Sequence, residues 1–229
     1  GILDYALRVP IKNREAEVWY TPFDMTVVKD FINAGTGYGK RIYALCFGGT
    51  RASKQWPTAN YVRLVKIIAE RESDVKFVIL GGGTGDVQSA AAFKQSFDDK
   101  FFNERVLDLT NKLTFRQSAA ALSICDMYIG NDTGTMHMAA AVKTPVLMPH
   151  YYAADLPKGN HTALKIDYPY RVPSVSVQPK HALDPCKNSK MHYGCLVINQ
   201  HHCISQVTVE AMVVAYNLLK KRIADNGIE

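Results

Sequence analysis

The chain has 229 residues, of which 47% are hydrophobic and 21% charged, with a formal charge of +6. That balance excludes a disordered chain, and no apolar run approaches the roughly 18 residues that cross a bilayer, so one globular α/β domain with appendages is expected. The positive charge favours anionic partners such as phosphates, nucleotides or an anionic membrane surface, and five cysteines, an odd number, fit a reduced cytosolic protein.

In chain order, the first residues, Gly1-Ile2-Leu3-Asp4-Tyr5, carry no initiator Met and no signal-peptide pattern, so a fragment or a processed chain is expected. Periodicity is weak as far as Gly39, and Asn33-Ala34-Gly35-Thr36-Gly37-Tyr38-Gly39 reads as a flexible connection. Residues 1–40 are therefore expected to be a linker or partial segment, and 41–229 the folded domain. A buried strand is predicted over 42–47, running into Gly48-Gly49-Thr50. Tyr61, Leu64, Val65 and Ile68 then share one helical face, with Pro57 or Thr58 at the start. A second strand over 75–80 ends in Gly81-Gly82-Gly83-Thr84-Gly85-Asp86 and is followed by a helix to about Phe97. A third strand (106–109), a third helix (115–124), a fourth strand (127–130), a small-residue helix to about Val142 and a fifth strand (144–148) complete the alternation. Beyond Pro149 the pattern loosens into a loop. The chain closes on an amphipathic helix whose Val209, Met212, Val213 and Tyr216 share a face, with Lys220, Lys221 and Arg222 read as a solvated basic end.

Alternating strands and helices require a parallel sheet with helices on both faces, an α/β Rossmann-like doubly wound fold. Ligands of such sheets bind beyond the carboxyl ends of the strands, where the loops 48–56, 81–86 and 131–137 all fall. Gly130-Asn131-Asp132-Thr133-Gly134-Thr135-Met136-His137 opens a helix whose free N–H groups suit a phosphate, and His137 lies one turn beyond Thr133. The same octapeptide reads equally as Asp132 capping the helix and His137 bonding inside the domain. In Gly48-Gly49-Thr50-Arg51-Ala52-Ser53-Lys54-Gln55-Trp56-Pro57, Thr50 and Lys54 reach the same edge. There a lysine can neutralise a diphosphate leaving group, or simply be solvated beside a packing Trp56.

The loop 81–86 fails the dinucleotide fingerprint, because Asp86 stands where G-x-G-x-x-G needs its last glycine. Asp86 suits a ribose or a helix cap. With no D-x-D pair, no divalent metal is expected at a diphosphate. Cys186, Cys195 and Cys203 with His181, His192, His201 and His202 are spaced too widely for a zinc knuckle and read as a packed or partly exposed set. Cys46 and Cys125 read as small core residues.

Taken together, Gly49-Thr50-Arg51-Ala52-Ser53-Lys54-Gln55-Trp56-Pro57, Val78-Ile79-Leu80-Gly81-Gly82 and Tyr128-Ile129-Gly130-Asn131-Asp132-Thr133-Gly134-Thr135-Met136-His137-Met138-Ala139-Ala140-Ala141 resemble glycosyltransferase family 9, the ADP-heptose:lipopolysaccharide heptosyltransferases. The resemblance runs in order from about Arg41 to the end. It implies one half of a GT-B architecture, the carboxyl-terminal donor-binding domain, with Thr50, Lys54, Asp132, Thr133, Gly134 and His137 on a nucleotide sugar such as ADP-heptose. It also implies Leu113 near the adenine and Asp86 near the ribose. Gly49 stands where the family has a threonine, which removes one hydroxyl contact.

The resemblance further implies metal-independent, inverting transfer to a lipopolysaccharide core acceptor, with no cofactor and no nucleic-acid partner. The catalytic base is then expected on an acceptor domain ahead of Gly1. A cytoplasmic location, with peripheral contact at the inner face of the inner membrane, is the corresponding expectation. Two other readings share the phosphate logic: a nucleotide-sugar epimerase-like enzyme, and a non-catalytic Rossmann-like binding module.

Overall fold

The computed structural model describes residues 15–35, 41–155, 168–187, 199–200 and 202–225. Six strands form one wholly parallel sheet: β1 (Arg41–Cys46), β2 (Val75–Ile79), β3 (Val106–Asp108), β4 (Met127–Gly130), β5 (Val146–Pro149) and β6 (Ser174–Val177), in the order β3-β2-β1-β4-β5-β6. This is the doubly wound order expected from the alternation, and it puts the switch point between β1 and β4. There Tyr43 pairs with Met127 and Cys46 with Gly130.

Eight helices surround the sheet among the described residues: α1 (Pro22–Ala34), α2 (Thr58–Arg71), α3 (Thr84–Lys94), α4 (Asp99–Arg105), α5 (Phe115–Ser123), α6 (Gly134–Ala141), the short α7 (Asp184–Lys187) and α8 (Val209–Asp225). Strand side chains alternate between faces, and β1 shows how this divides the core. Tyr43, Leu45 and the following Phe47 face a cluster rich in aromatics, with Trp56, Tyr61, Phe77, Phe93 and Tyr216 from the loop, α2, β2, α3 and α8. Ile42, Ala44 and Cys46 face the opposite cluster, where Ala119, Ala120, Ala121 and Ala139 of α5 and α6 let the helices lie close to the sheet.

The segment expected to be a linker carries α1. Thr21 caps it, its Oγ1 accepting from the Asp24 N–H at 3.2 Å while Asp24 Oδ2 accepts from the Thr21 N–H at 2.8 Å, and Pro22 begins the helix. That reciprocal pair satisfies two otherwise orphaned donors. Val28 and Ile32 are buried in the alanine-rich cluster, and burying two such side chains contributes about 1.5–3 kcal/mol each. The remaining connection, 36–40, lies outside the described residues.

Past Pro149 the expected loop contains β6, paired with β5 from Val146↔Ser174 to Pro149↔Val177. The closing helix buries Val209, Met212, Ala215, Tyr216 and Leu219, and Val213 is partly buried against the same cluster. Its basic end is more than solvated. Lys220 bonds Glu72 and Arg222 Nη1 donates to the Ser174 carbonyl, while Lys221 is exposed. Among the described residues no helix is long and apolar enough to cross a membrane.

Candidate functional site

Beyond the carboxyl ends of β1, β2 and β4 lies a cleft of about 490 Å³, whose lining includes Thr50, Arg51, Lys54, Asp86, Asp132 and His137. Two glycines let the walls approach. A Cβ at Gly130 would stand 2.6 Å from both the Cys46 carbonyl oxygen and the Tyr128 hydroxyl, and one at Gly48 only 1.3 Å from Asp86 Oδ1.

Asn131 organises the wall formed by the loops after β1 and β4. It is fully buried, and its Oδ1 accepts from the Trp56 N–H at 2.9 Å and the Tyr61 hydroxyl at 2.8 Å. Its Nδ2 donates to the carbonyls of Phe47 at 2.6 Å and Gly48 at 3.1 Å. Trp56 is anchored in turn through Nε1 to the Val207 carbonyl at 2.7 Å. Asn131 stands inside the octapeptide singled out from the sequence, but its role as a clamp between two distant loops is a tertiary fact. So too is the place of Arg51 on the cleft wall.

On that frame Lys54 Nζ donates to Asp132 Oδ2 at 2.6 Å and lies 4.6 Å from the centre of the Tyr151 ring. Lys54 is therefore held between a carboxylate and an aromatic face and is only partly exposed. His137 Nε2 stands 3.8 Å from Asp132 Oδ1, and the ring is half-exposed. Asp132 does not cap α6. The N-cap is Thr133, which makes no side-chain cap bond, so the first-turn N–H groups of α6 keep their capacity for an anion. Gly134, Thr133 and Thr135 line the cleft at this helix start, and a Cβ at Gly134 would meet nothing within 4 Å.

The facing wall is the start of α3. Asp86 Oδ2 accepts from the Gly82 N–H at 2.6 Å, and burial raises its carboxyl pKa above the ordinary value despite that bond. Cys46 borders the cleft floor. It is buried, as expected of a core cysteine, and burial pushes its thiol pKa up, so it presents a thiol and not a thiolate.

Of the residues expected at a donor site, Thr50, Lys54, Asp86, Asp132, Thr133, Gly134 and His137 all line the cleft. Leu113 does not line it; partly buried, it packs on the alanine-rich cluster. In the histidine–cysteine segment, His192, Cys195 and His201 lie outside the described residues. Cys186 and Cys203 are buried, and His181 pairs with Asp155 at 3.3 Å. Among the described residues no three potential ligands gather as they would around a metal.

The fold and cleft together define a Rossmann-type domain with a site of mixed charge, lined by hydroxyls, over its switch point. The family model of glycosyltransferase family 9 (heptosyltransferase) matches residues 8–149, and the chain belongs to that family. Lipooligosaccharide heptosyltransferase 2 of Campylobacter jejuni is 30% identical over 106 residues, 46% of this chain and 32% of the relative. Among solved structures, ADP-heptose LPS heptosyltransferase II of E. coli aligns with a TM-score of 0.67 at 15% identity, over 95% of this chain and 57% of that one. A family 9 glycosyl transferase from Veillonella parvula aligns with a TM-score of 0.68 at 15% identity, over 90% and 54%. The chain thus matches about a third of the curated relative and a little over half of each solved structure. At these identities the structural likeness shows the fold.

Proposed function

We propose that the chain is the donor-binding part of a heptosyltransferase-like glycosyltransferase of GT-B architecture, taking a nucleotide diphosphate sugar, ADP-heptose, in the cleft between the β1 and β4 loops. The observation that carries this reading is the convergence of Lys54, Asp132 and His137 on the uncapped start of α6. A helix N-terminus with a lysine and an adjacent arginine supplies positive charge where a nucleoside diphosphate departs. Support for an ADP-heptose donor and a lipopolysaccharide or lipooligosaccharide acceptor comes from what the related heptosyltransferases are named for, and the core is the acceptor we propose.

In this reading the diphosphate lies along Arg51, Lys54 and residues 133–135, and Asp86 accepts hydrogen bonds from the ribose. Transfer is metal-independent, because these protein groups themselves stabilise the leaving group, and it inverts the anomeric centre. A carboxylate on an acceptor-binding domain deprotonates the acceptor hydroxyl. The chain is assigned to the cytoplasmic side of the inner membrane, where it would meet that acceptor.

Calorimetric titration with ADP, UDP and GDP, with and without magnesium, tests the reading. ADP is expected to bind in the micromolar range without metal. Lys54→Ala is expected to weaken ADP by about tenfold to a hundredfold, as loss of a charged hydrogen bond to phosphate would, and to leave adenosine nearly unchanged. Equal loss for ADP and adenosine would remove Lys54 from the diphosphate, and no binding of any nucleotide would favour a non-catalytic module.

A further inference from the structure

The wall that carries Lys54 has a charge-balance requirement that goes beyond the diphosphate reading, on which this inference rests. The Asp132 side chain is only 3% exposed and has Lys54 Nζ at 2.6 Å from Oδ2 and His137 Nε2 at 3.8 Å from Oδ1. The other charged or titratable groups facing the cleft are Arg51 on the β1 loop, Asp86 on α3 and the Cys46 thiol at the end of β1. A diphosphate entering beside Lys54 competes with Asp132 for its ammonium. The ammonium has further N–H donors for a phosphate, but its single positive charge is then shared with a dianion, and a buried carboxylate whose counter-charge is drawn away is disfavoured.

A second cation beside Asp132 would restore that balance. Arg51 also lines the cleft but has no contact with Asp132 among the described interactions. His137 stands next to the carboxylate and, with its side chain 47% exposed, is open to solvent for proton exchange. Imidazole is also the side chain whose ordinary ionisation, near pH 6.5, lies close to neutrality.

We infer that His137 is the counter-ion that takes over Asp132 when a diphosphate engages Lys54, so that donor binding is coupled to the uptake of one proton from solvent. The balance is simple. The neutral imidazole gains a proton and its Nε2–H donates to Asp132 Oδ1. Lys54 stays protonated and turns from Oδ2 to a phosphate oxygen, and no covalent bond changes elsewhere. Because the bound state holds the extra proton, affinity is greatest at low pH and falls as pH rises above the ordinary histidine range, by up to about tenfold per pH unit where uptake approaches one proton.

The test is calorimetric titration of the chain with ADP-heptose at about pH 7.5, a unit above the ordinary histidine pKa, in Hepes and in Tris. Their different ionisation enthalpies convert proton uptake into a buffer-dependent heat. The diphosphate diester of a nucleotide sugar does not itself titrate near neutrality, so any proton exchanged belongs to the protein. Wild type is expected to take up roughly half to one proton per site. His137→Gln, which keeps a hydrogen-bond donor but not the charge, is expected to bind with no uptake and a pH-independent affinity.

Binding by wild type without proton uptake overturns the inference and leaves the donor reading standing. Uptake that persists in His137→Gln also overturns it, placing the proton on Asp86 or Asp132. Failure of ADP-heptose to bind at all overturns the donor reading, and this inference with it.

Discussion

At the amino edge of the sheet, Glu72 follows α2 and receives hydrogen bonds from Arg41 Nη1 at 2.6 Å, the Lys220 ammonium and the Tyr216 hydroxyl. At the carboxyl edge, the bond to Asp86 comes from a backbone N–H, that of Gly82. Both carboxylates are part-buried, and burial alone raises both pKa values. At Glu72 the bonds from Lys220, Tyr216 and Arg41 outweigh burial, and the carboxyl is held below its ordinary range. At Asp86 burial wins. One edge neutralises its charges within the fold, whereas the other keeps a carboxylate that the fold itself penalises. Groups of the second kind are enriched where a ligand completes the interactions.

The comparison breaks most visibly at Asn131, because the two loops of the carboxyl edge are clamped through a neutral side chain, beside the Lys54–Asp132 pair. Asn131→Leu keeps the branched side-chain skeleton but leaves the Trp56 N–H, the Tyr61 hydroxyl and the Phe47 and Gly48 carbonyls without their partner. A loss of about 3 kcal/mol is expected, read as a melting temperature lower by about 6–12 °C for a chain of this size, together with weaker nucleotide binding. A drop below about 1 kcal/mol would mean that the two loops hold their positions without the clamp.

A smaller effect is expected at the amino edge. Glu72→Gln removes the counter-charge of Arg41 and Lys220, whose side chains are 45% and 38% exposed and can be resolvated. The expected cost is about 1–2 kcal/mol in urea unfolding, since exposed partners limit the value of the pairs. Nucleotide affinity should stay the same, measured by calorimetry on the same preparation. A tenfold loss of affinity would show that the two edges are energetically coupled, and that the distinction between them is false.

These contrasts also explain what was legible in the sequence. The five strands from β1 to β5 announce themselves because each is an apolar run closed by a glycine, proline or polar turn, as buried parallel strands are. The loops that form the cleft follow directly from that alternation. α1 was hidden because its buried stripe is narrow, reduced to Asp24, Val28 and Ile32. The cue was Thr21-Pro22-Phe23-Asp24, a capping box around an initial proline. β6 escaped because Ser174 and Val175 to Val177 leave the edge mostly half-buried over four residues, too short for a period. At the site, residue types pointed to Lys54, Asp132 and His137, but the Lys54–Asp132 bond spans 78 positions, and no local pattern carries such a contact. For the same reason Asn131 could not be told from its neighbour as the residue that turns inward, nor Leu113 as one that packs away from the cleft.

The smallest effect separates the two carboxylates by pH. Asp86 has a raised pKa in the folded state, so between its ordinary value, about 4, and the raised one the folded chain binds more protons than the unfolded chain. Its contribution therefore makes stability fall as pH rises through that window and stay level above it. Glu72 has a lowered pKa, so its stabilisation is present above its ordinary value and is lost as pH falls toward the folded one. Asp86→Asn should abolish the first slope and leave the chain within about 1 kcal/mol of wild type at neutral pH, on the stable side, because a part-buried group retains part of its hydration. Glu72→Gln should abolish the second slope and leave the first intact. Urea midpoints measured from about pH 3 to 7 resolve the two, since their signs are opposite and the Glu72 window lies below the ordinary glutamate value of about 4.3. An Asp86→Asn protein that loses stability at neutral pH would mean that the cleft already satisfies this carboxylate, and the contrast between the two edges would then have to rest on Lys54, Asp132 and His137 alone.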